Sequence, residues 1–104
     1  MSRRRSEFPE PPAHLSERSQ ALWCDLGPRN CPETGRRVLF QQALESLDRA
    51  DAARAAVAAE GITTTTERSG VAHAHPMIRV ESDARRQFFR LWTALGFQYR
   101  DSGL

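Results

Sequence analysis

The chain has 104 residues, 39% of them hydrophobic, and a formal net charge of +2, so one small domain is the expected count. Fourteen of the 41 hydrophobic residues are alanine and only 20 are Leu, Ile, Val or Phe; this is a thin supply of core side chains, but the low net charge sets the chain apart from disordered sequences. All 15 cationic residues are arginine, which excludes chemistry that needs a lysine and suits bidentate phosphate contacts or buried ion pairs.

No apolar run approaches the ~18 residues of a membrane span, and no signal-peptide core follows the N-terminal arginines. Two cysteines are too few for a secreted disulfide scaffold. A cytoplasmic setting without a membrane partner is therefore expected.

Residues 1–14 hold three of the six prolines and no periodic pattern, and read as a flexible basic, Pro-rich arm. Its cluster Arg3, Arg4 and Arg5 is a candidate electrostatic contact with nucleic acid. Ser16 is a plausible N-cap with Glu17 in the first turn. Leu22 and Leu26 lie four apart, and Gly27-Pro28 is expected to end this short helix and open a loop through Gly35.

A long helix follows from about Glu33 to Ala59 and stops at Gly61. At 100° per residue, Leu39, Phe40, Ala43, Leu44, Leu47, Ala50, Val57 and Ala58 fall on one broad face. Asp51 and Arg54 interrupt that face at spacing i, i+3, where they can pair with each other or across an interface. Residues 50–59 contain seven alanines, which allow close approach but bury little area. At 1.5 Å per residue the helix is roughly 40 Å long, more than the diameter of a small domain, which points to assembly with other copies.

Ile62 to Thr66 is β-branched throughout, Glu67-Arg68-Ser69-Gly70 reads as a turn, and Val71 to His75 reads as a return strand. Pro76 fits the start of the last helix, which Gly96 ends. Met77, Val80, Ala84, Phe88, Leu91 and Leu95 form one apolar stripe, and Ile78, Phe89 and Trp92 form a second. Arg79, Arg86 and Arg90 share the face opposite the first stripe. Two stripes on one helix suggest two packing partners: either one of them is another subunit, with Ile78, Phe89, Trp92, Asp51 and Arg54 as candidate interface residues, or the long helix and the hairpin cover both stripes within the chain. Residues 97–104 read as a short tail from which Phe97 and Tyr99 fold back.

The fold class expected is thus mainly α: short helix, long helix, β-hairpin and amphipathic C-terminal helix, in an oligomer-forming domain over 15–97 that is flanked by the 1–14 arm and a 98–104 tail. Cys24, Cys31, His73 and His75 make four zinc-type ligands on paper, but neither pair has the usual C-x2-C or H-x3-5-H spacing, and no metal or other cofactor is expected. No nucleophile elbow, H-E-x-x-H or glycine-rich phosphate loop occurs, so the expectation is a protein that is not an enzyme. Arg36, Arg37, Arg79, Arg86 and Arg90 join the Arg3–Arg5 cluster as candidate phosphate contacts, although on residue statistics alone Arg79, Arg86 and Arg90 read as the wet face of an amphipathic helix.

From residue 61 the order of features becomes specific. A glycine ends a long Ala-rich helix; then come a Thr-rich strand, Ser69-Gly70, His75-Pro76, an amphipathic helix carrying Arg85-Arg86, and Leu95-Gly96-Phe97. This order, with Leu22-Trp23 to Leu26 as a short opening helix, resembles the small terminase subunit family of tailed bacteriophages over roughly residues 12–97. Arg29-Asn30-Cys31-Pro32 and Gly35 stand where that family commonly has a Leu-rich segment.

The resemblance implies a non-catalytic subunit that forms ring-like homo-oligomers in the cytoplasm of the bacterial host. It also implies recognition of viral double-stranded DNA and recruitment of the large terminase subunit, which holds the ATPase and nuclease for genome packaging. The alternative, left open by the same residues, is a helical protein-interaction adaptor that does not bind DNA.

Overall fold

A computed structural model describes residues 8–65 and 72–97. Arg3, Arg4 and Arg5, the turn expected at 67–70 and the 98–104 tail lie outside the described residues. The fold is mainly helical: α1 spans Glu17–Asn30, α2 spans Thr34–Glu60 and α3 spans Pro76–Leu95. Between α2 and α3, the short strands β1 (Thr63–Thr65) and β2 (Ala72–Ala74) pair antiparallel, with Thr63 opposite Ala74 and Thr65 opposite Ala72.

Each helix end has a local cause. Ser16 caps α1, its side chain accepting from Ser19 N at 3.1 Å, and satisfies one of the amides left free at a helix start. Gly61 stops α2 at φ 96°, and Gly96 stops α3 at φ 75° in the left-handed region, which favours glycine. Pro76 occupies the first position of α3, where its missing N–H costs nothing.

One expected boundary is corrected. Pro28 lies inside α1, which runs three residues past Gly27. The bond lost at Pro28 falls on the carbonyl of an exposed residue, Cys24. The extra turn is held by Arg36, whose Nε donates to Asn30 O at 2.8 Å, by Asn30 Nδ2 donating to Leu26 O at 2.9 Å, and by Cys31 N donating to Gly27 O at 2.8 Å. The expected loop shrinks to residues 31–33.

α3 returns antiparallel along α2, as the contacts Arg54–Glu81 and Arg36–Leu95 at opposite ends of the pair require. The long helix is therefore partnered within the chain. Phe40, Ala43, Leu44, Leu47 and Ala50 are buried as the periodicity predicts, whereas Leu39 and Ala58 are exposed; Ser46 and Ala53 are buried as well. Phe40 is the centre of the core. It stacks on Trp23 at 5.6 Å and an interplanar angle of 6°, meets Phe97 edge-on at 5.5 Å, and lies 6.3 Å from Trp92.

The flexible arm expected through residue 14 is also corrected, because residues 8–15 form a strap across the helices. Trp23 Nε1 donates to Pro9 O at 2.9 Å. The Phe8 ring lies 5.5 Å from Trp23 and against Gly27, where a Cβ would come within 2.4 Å of the ring. The Arg37 guanidinium sits 5.4 Å from the centre of the Phe8 ring, a cation–π contact, and Leu15 is buried in the core. Pairing an indole N–H with a backbone carbonyl while burying the ring is the usual solution for an inward-facing tryptophan.

Candidate functional site

The outer face of α3 follows directly from helical spacing. Arg79, Arg86 and Arg90 are exposed on one ridge, and Asp83 lies between them. Asp83 is 3.9 Å from Arg79 and 3.3 Å from Arg86. Arg90 bonds only the neutral Gln87, at 3.1 Å, among the described residues. The ridge thus carries three cations against one carboxylate. On one side of it stand two exposed apolar residues, Ile78 at 38% and Phe89 at 63% exposure. A hollow of about 400 Å³ opens at the start of the ridge, lined by His75, Ile78, Arg79, Ser82, Asp83 and Arg86 among others. Chemically this is a surface for anions with an apolar margin.

The other sequence candidates separate from this ridge. Arg36 is half-buried; beyond its bond to Asn30, its terminal nitrogen donates to Leu95 O at 2.5 Å. One guanidinium therefore closes the C-terminal ends of both α1 and α3, where cations are favoured. Arg37 donates to Pro32 O at 2.8 Å beside Phe8.

Three candidate interface residues have partners within the chain. Trp92 is half-buried against the core, 5.0 Å from Phe88 and 4.7 Å from Phe97, so only Ile78 and Phe89 of the second stripe stay open. Asp51 binds Arg18 of α1 and lies 3.5 Å from Arg85 of α3. Arg54 reaches Glu81 at 3.4 Å, and Glu81 also pairs with Arg85 at 2.9 Å. These residues tie the helices of one chain together.

A polar cluster at the start of α1 has no counterpart in the sequence reading. Asp48 accepts from Ser19 Oγ at 2.6 Å, Ser16 Oγ at 2.7 Å and Ser16 N at 2.8 Å. Burial pushes its carboxyl up, but these hydrogen bonds, together with the charge of Arg18, hold it below the ordinary value. Next to it, Glu45 is lowered by hydrogen bonds from Gln41 and His14, the latter at 2.7 Å. Hydrogen bonding to Arg85 lowers Glu81 as well. The partners of Asp48 lie 29 and 32 positions away in sequence, so no local spacing announces them.

Among the described residues, the zinc-type candidates Cys24, Cys31 and His75 do not form a metal-binding group. Cys24 is exposed and Cys31 is fully buried; burial raises the Cys31 thiol, against a smaller opposing effect of Arg36. The His73 side chain lies outside the described part of the structure. His75 is 5% exposed and already partnered on both nitrogens: Nδ1 accepts from Met77 N at 3.0 Å, and Nε2 lies 2.6 Å from Glu60 Oε1. Among the described residues no group of three or more His, Cys, Asp or Glu is placed to hold a metal ion, and no helix is long and apolar enough to cross a membrane. No known family, curated protein or solved structure matches the chain.

Proposed function

We propose that the chain is a non-catalytic small terminase subunit: a homo-oligomer in the bacterial host that binds viral double-stranded DNA and recruits the large terminase subunit for genome packaging. Two things support this reading. One is the order of short elements from Gly61 to Phe97, with the β-hairpin set between a long alanine-rich helix and an amphipathic one. The other, which carries the DNA contact, is the exposed ridge of Arg79, Arg86 and Arg90. Three arginines on one face of a single chain give modest phosphate affinity, and copies arranged in a ring would multiply it.

The test combines light scattering with duplex-DNA titrations over a range of salt. An oligomer whose DNA affinity falls steeply with salt, and is weakened when Arg79, Arg86 and Arg90 are all changed to Glu, is the expected result. A monomer at tens of micromolar with no salt-dependent DNA binding rejects the reading. The 63% exposure of Phe89 beside the ridge favours one alternative, a helical adaptor that docks a protein partner without DNA. Capture of the large subunit at high salt, with no DNA binding, would select it.

A further inference from the structure

His75 joins three segments at the mouth of the α2–α3 pair. Its backbone N–H donates to Ile62 O at 2.8 Å, just ahead of β1. Its Nδ1 accepts the Met77 amide at 3.0 Å and so caps the first turn of α3. Its Nε2 faces Glu60 Oε1, in the last turn of α2, at 2.6 Å. The ring is 5% exposed, whereas the Glu60 side chain is 62% exposed and in contact with solvent.

These partners fix the tautomer. A nitrogen that accepts an amide N–H must offer its lone pair, so Nδ1 is unprotonated. A carboxylate oxygen accepts, so Nε2 carries the proton. Adding a second proton places an N–H on Nδ1 that points at the Met77 N–H, two donors at 3.0 Å. The imidazolium cannot make the cap, yet its bond to the Glu60 carboxylate becomes an ion pair.

We propose that His75 is a proton-operated clasp: neutral, it caps α3 and closes the mouth of the helix pair; protonated, it keeps Glu60 and lets go of the first turn of α3. The charged groups around it, among the described residues, are Glu60 from α2 and Arg79, Asp83 and Arg86 from α3, the last three lining the hollow that His75 also borders. Arg79 and Arg86 are each drawn toward Asp83, at 3.9 and 3.3 Å. Arg79 is the fourth residue of α3, so releasing the cap loosens the turn that holds the first arginine of the outer ridge.

The test is an NMR titration of the intact chain from pH 8 to pH 5, following the ring resonances of His75 together with the Met77 and Ile78 amides. The Met77 amide shift is expected to follow the titration of His75, and protection of these two amides against exchange to fall about fivefold, the scale of one lost N-cap. His75→Asn keeps a side-chain acceptor at the cap and cannot titrate in this range, so the first turn should become insensitive to pH with the fold unchanged. Glu60→Gln keeps the hydrogen-bond acceptor without its charge, and should move the response to lower pH. A Met77 amide that ignores the His75 titration, a His75 ring that stays neutral until the chain unfolds, or an unchanged response in the Asn variant would each overturn the proposal.

Discussion

Where α1 lies across α2, the helices are joined by Trp23, Phe40, Trp92 and Phe97, whose rings lie within 6.3 Å of one another in sequence from Trp23 through Phe40 to the other two. About 15–30 Å further along α2, at 1.5 Å per residue, α2 and α3 meet through alanines, through the ion pairs Arg54–Glu81 and Arg85–Asp51, and at the far end through the His75–Glu60 hydrogen bond. Aromatic rings supply large buried area and interlocking shape. Alanine supplies neither, and exposed ion pairs contribute little. One chain thus combines a rigid end with a loosely tied one, and the loosely tied end carries the start of the arginine ridge.

The sharpest way to break this contrast is Phe40→Ala. Phe40 is fully buried, and loss of such a ring costs about 3–5 kcal/mol, a large part of the stability of a small domain. Urea or thermal unfolding is expected to show little cooperative transition left. Next is Asp48, where Asp48→Ala strips hydrogen bonds from Ser16 and Ser19, at a cost of about 2 kcal/mol. The same carboxylate sets an acid limit. Its folded value lies below the unfolded one, so its contribution is complete above the ordinary carboxylate value of 3.8 and is lost as pH falls through the lower folded value. Asp48→Asn should flatten that acid limb in unfolding curves measured from pH 6 to pH 2.

Gly27→Ala comes third. The new methyl group occupies the place of the Phe8 ring, and the ring, being the end of a side chain, can swing away. The expected cost is about 1 kcal/mol, the contact with Trp23, seen as a change in tryptophan fluorescence with the fold retained. The smallest effect belongs to the alanine-rich end. Arg54→Ala should cost under about 1 kcal/mol and lose even that at high salt. If Arg54→Ala proves as damaging as Phe40→Ala, the two ends do not differ as described.

The helices were largely legible in the sequence because their signals are local. Gly61, Pro76 and Gly96 mark ends by their own backbone chemistry, and the stripe from Met77 to Leu95 repeats at helical spacing. The strap from Phe8 to Leu15 was not legible, because prolines exclude regular structure without saying whether a segment docks. What decides it is the Trp23 indole reaching Pro9. Gly27-Pro28 misled for a related reason: both residues ordinarily end helices, but Arg36 holds the following turn in place from another element. Of the candidate site, the ridge of Arg79, Arg86 and Arg90 needed only periodicity. The partners of Asp51, Arg54 and Trp92 within the chain were not legible, because a polar gap in an apolar face, or a surplus aromatic, looks the same whether its partner is in the same chain or another.

The two thiols give the molecule an internal gauge of its own opening. Cys24 meets solvent, while Cys31, at the junction of α1 and α2, is sealed and its thiol held in the unreactive protonated form. An alkylating reagent should therefore modify one site within its ordinary reaction time and the other only when the aromatic end parts. The ratio of the two rates reads how often that happens, without mutation or added probe.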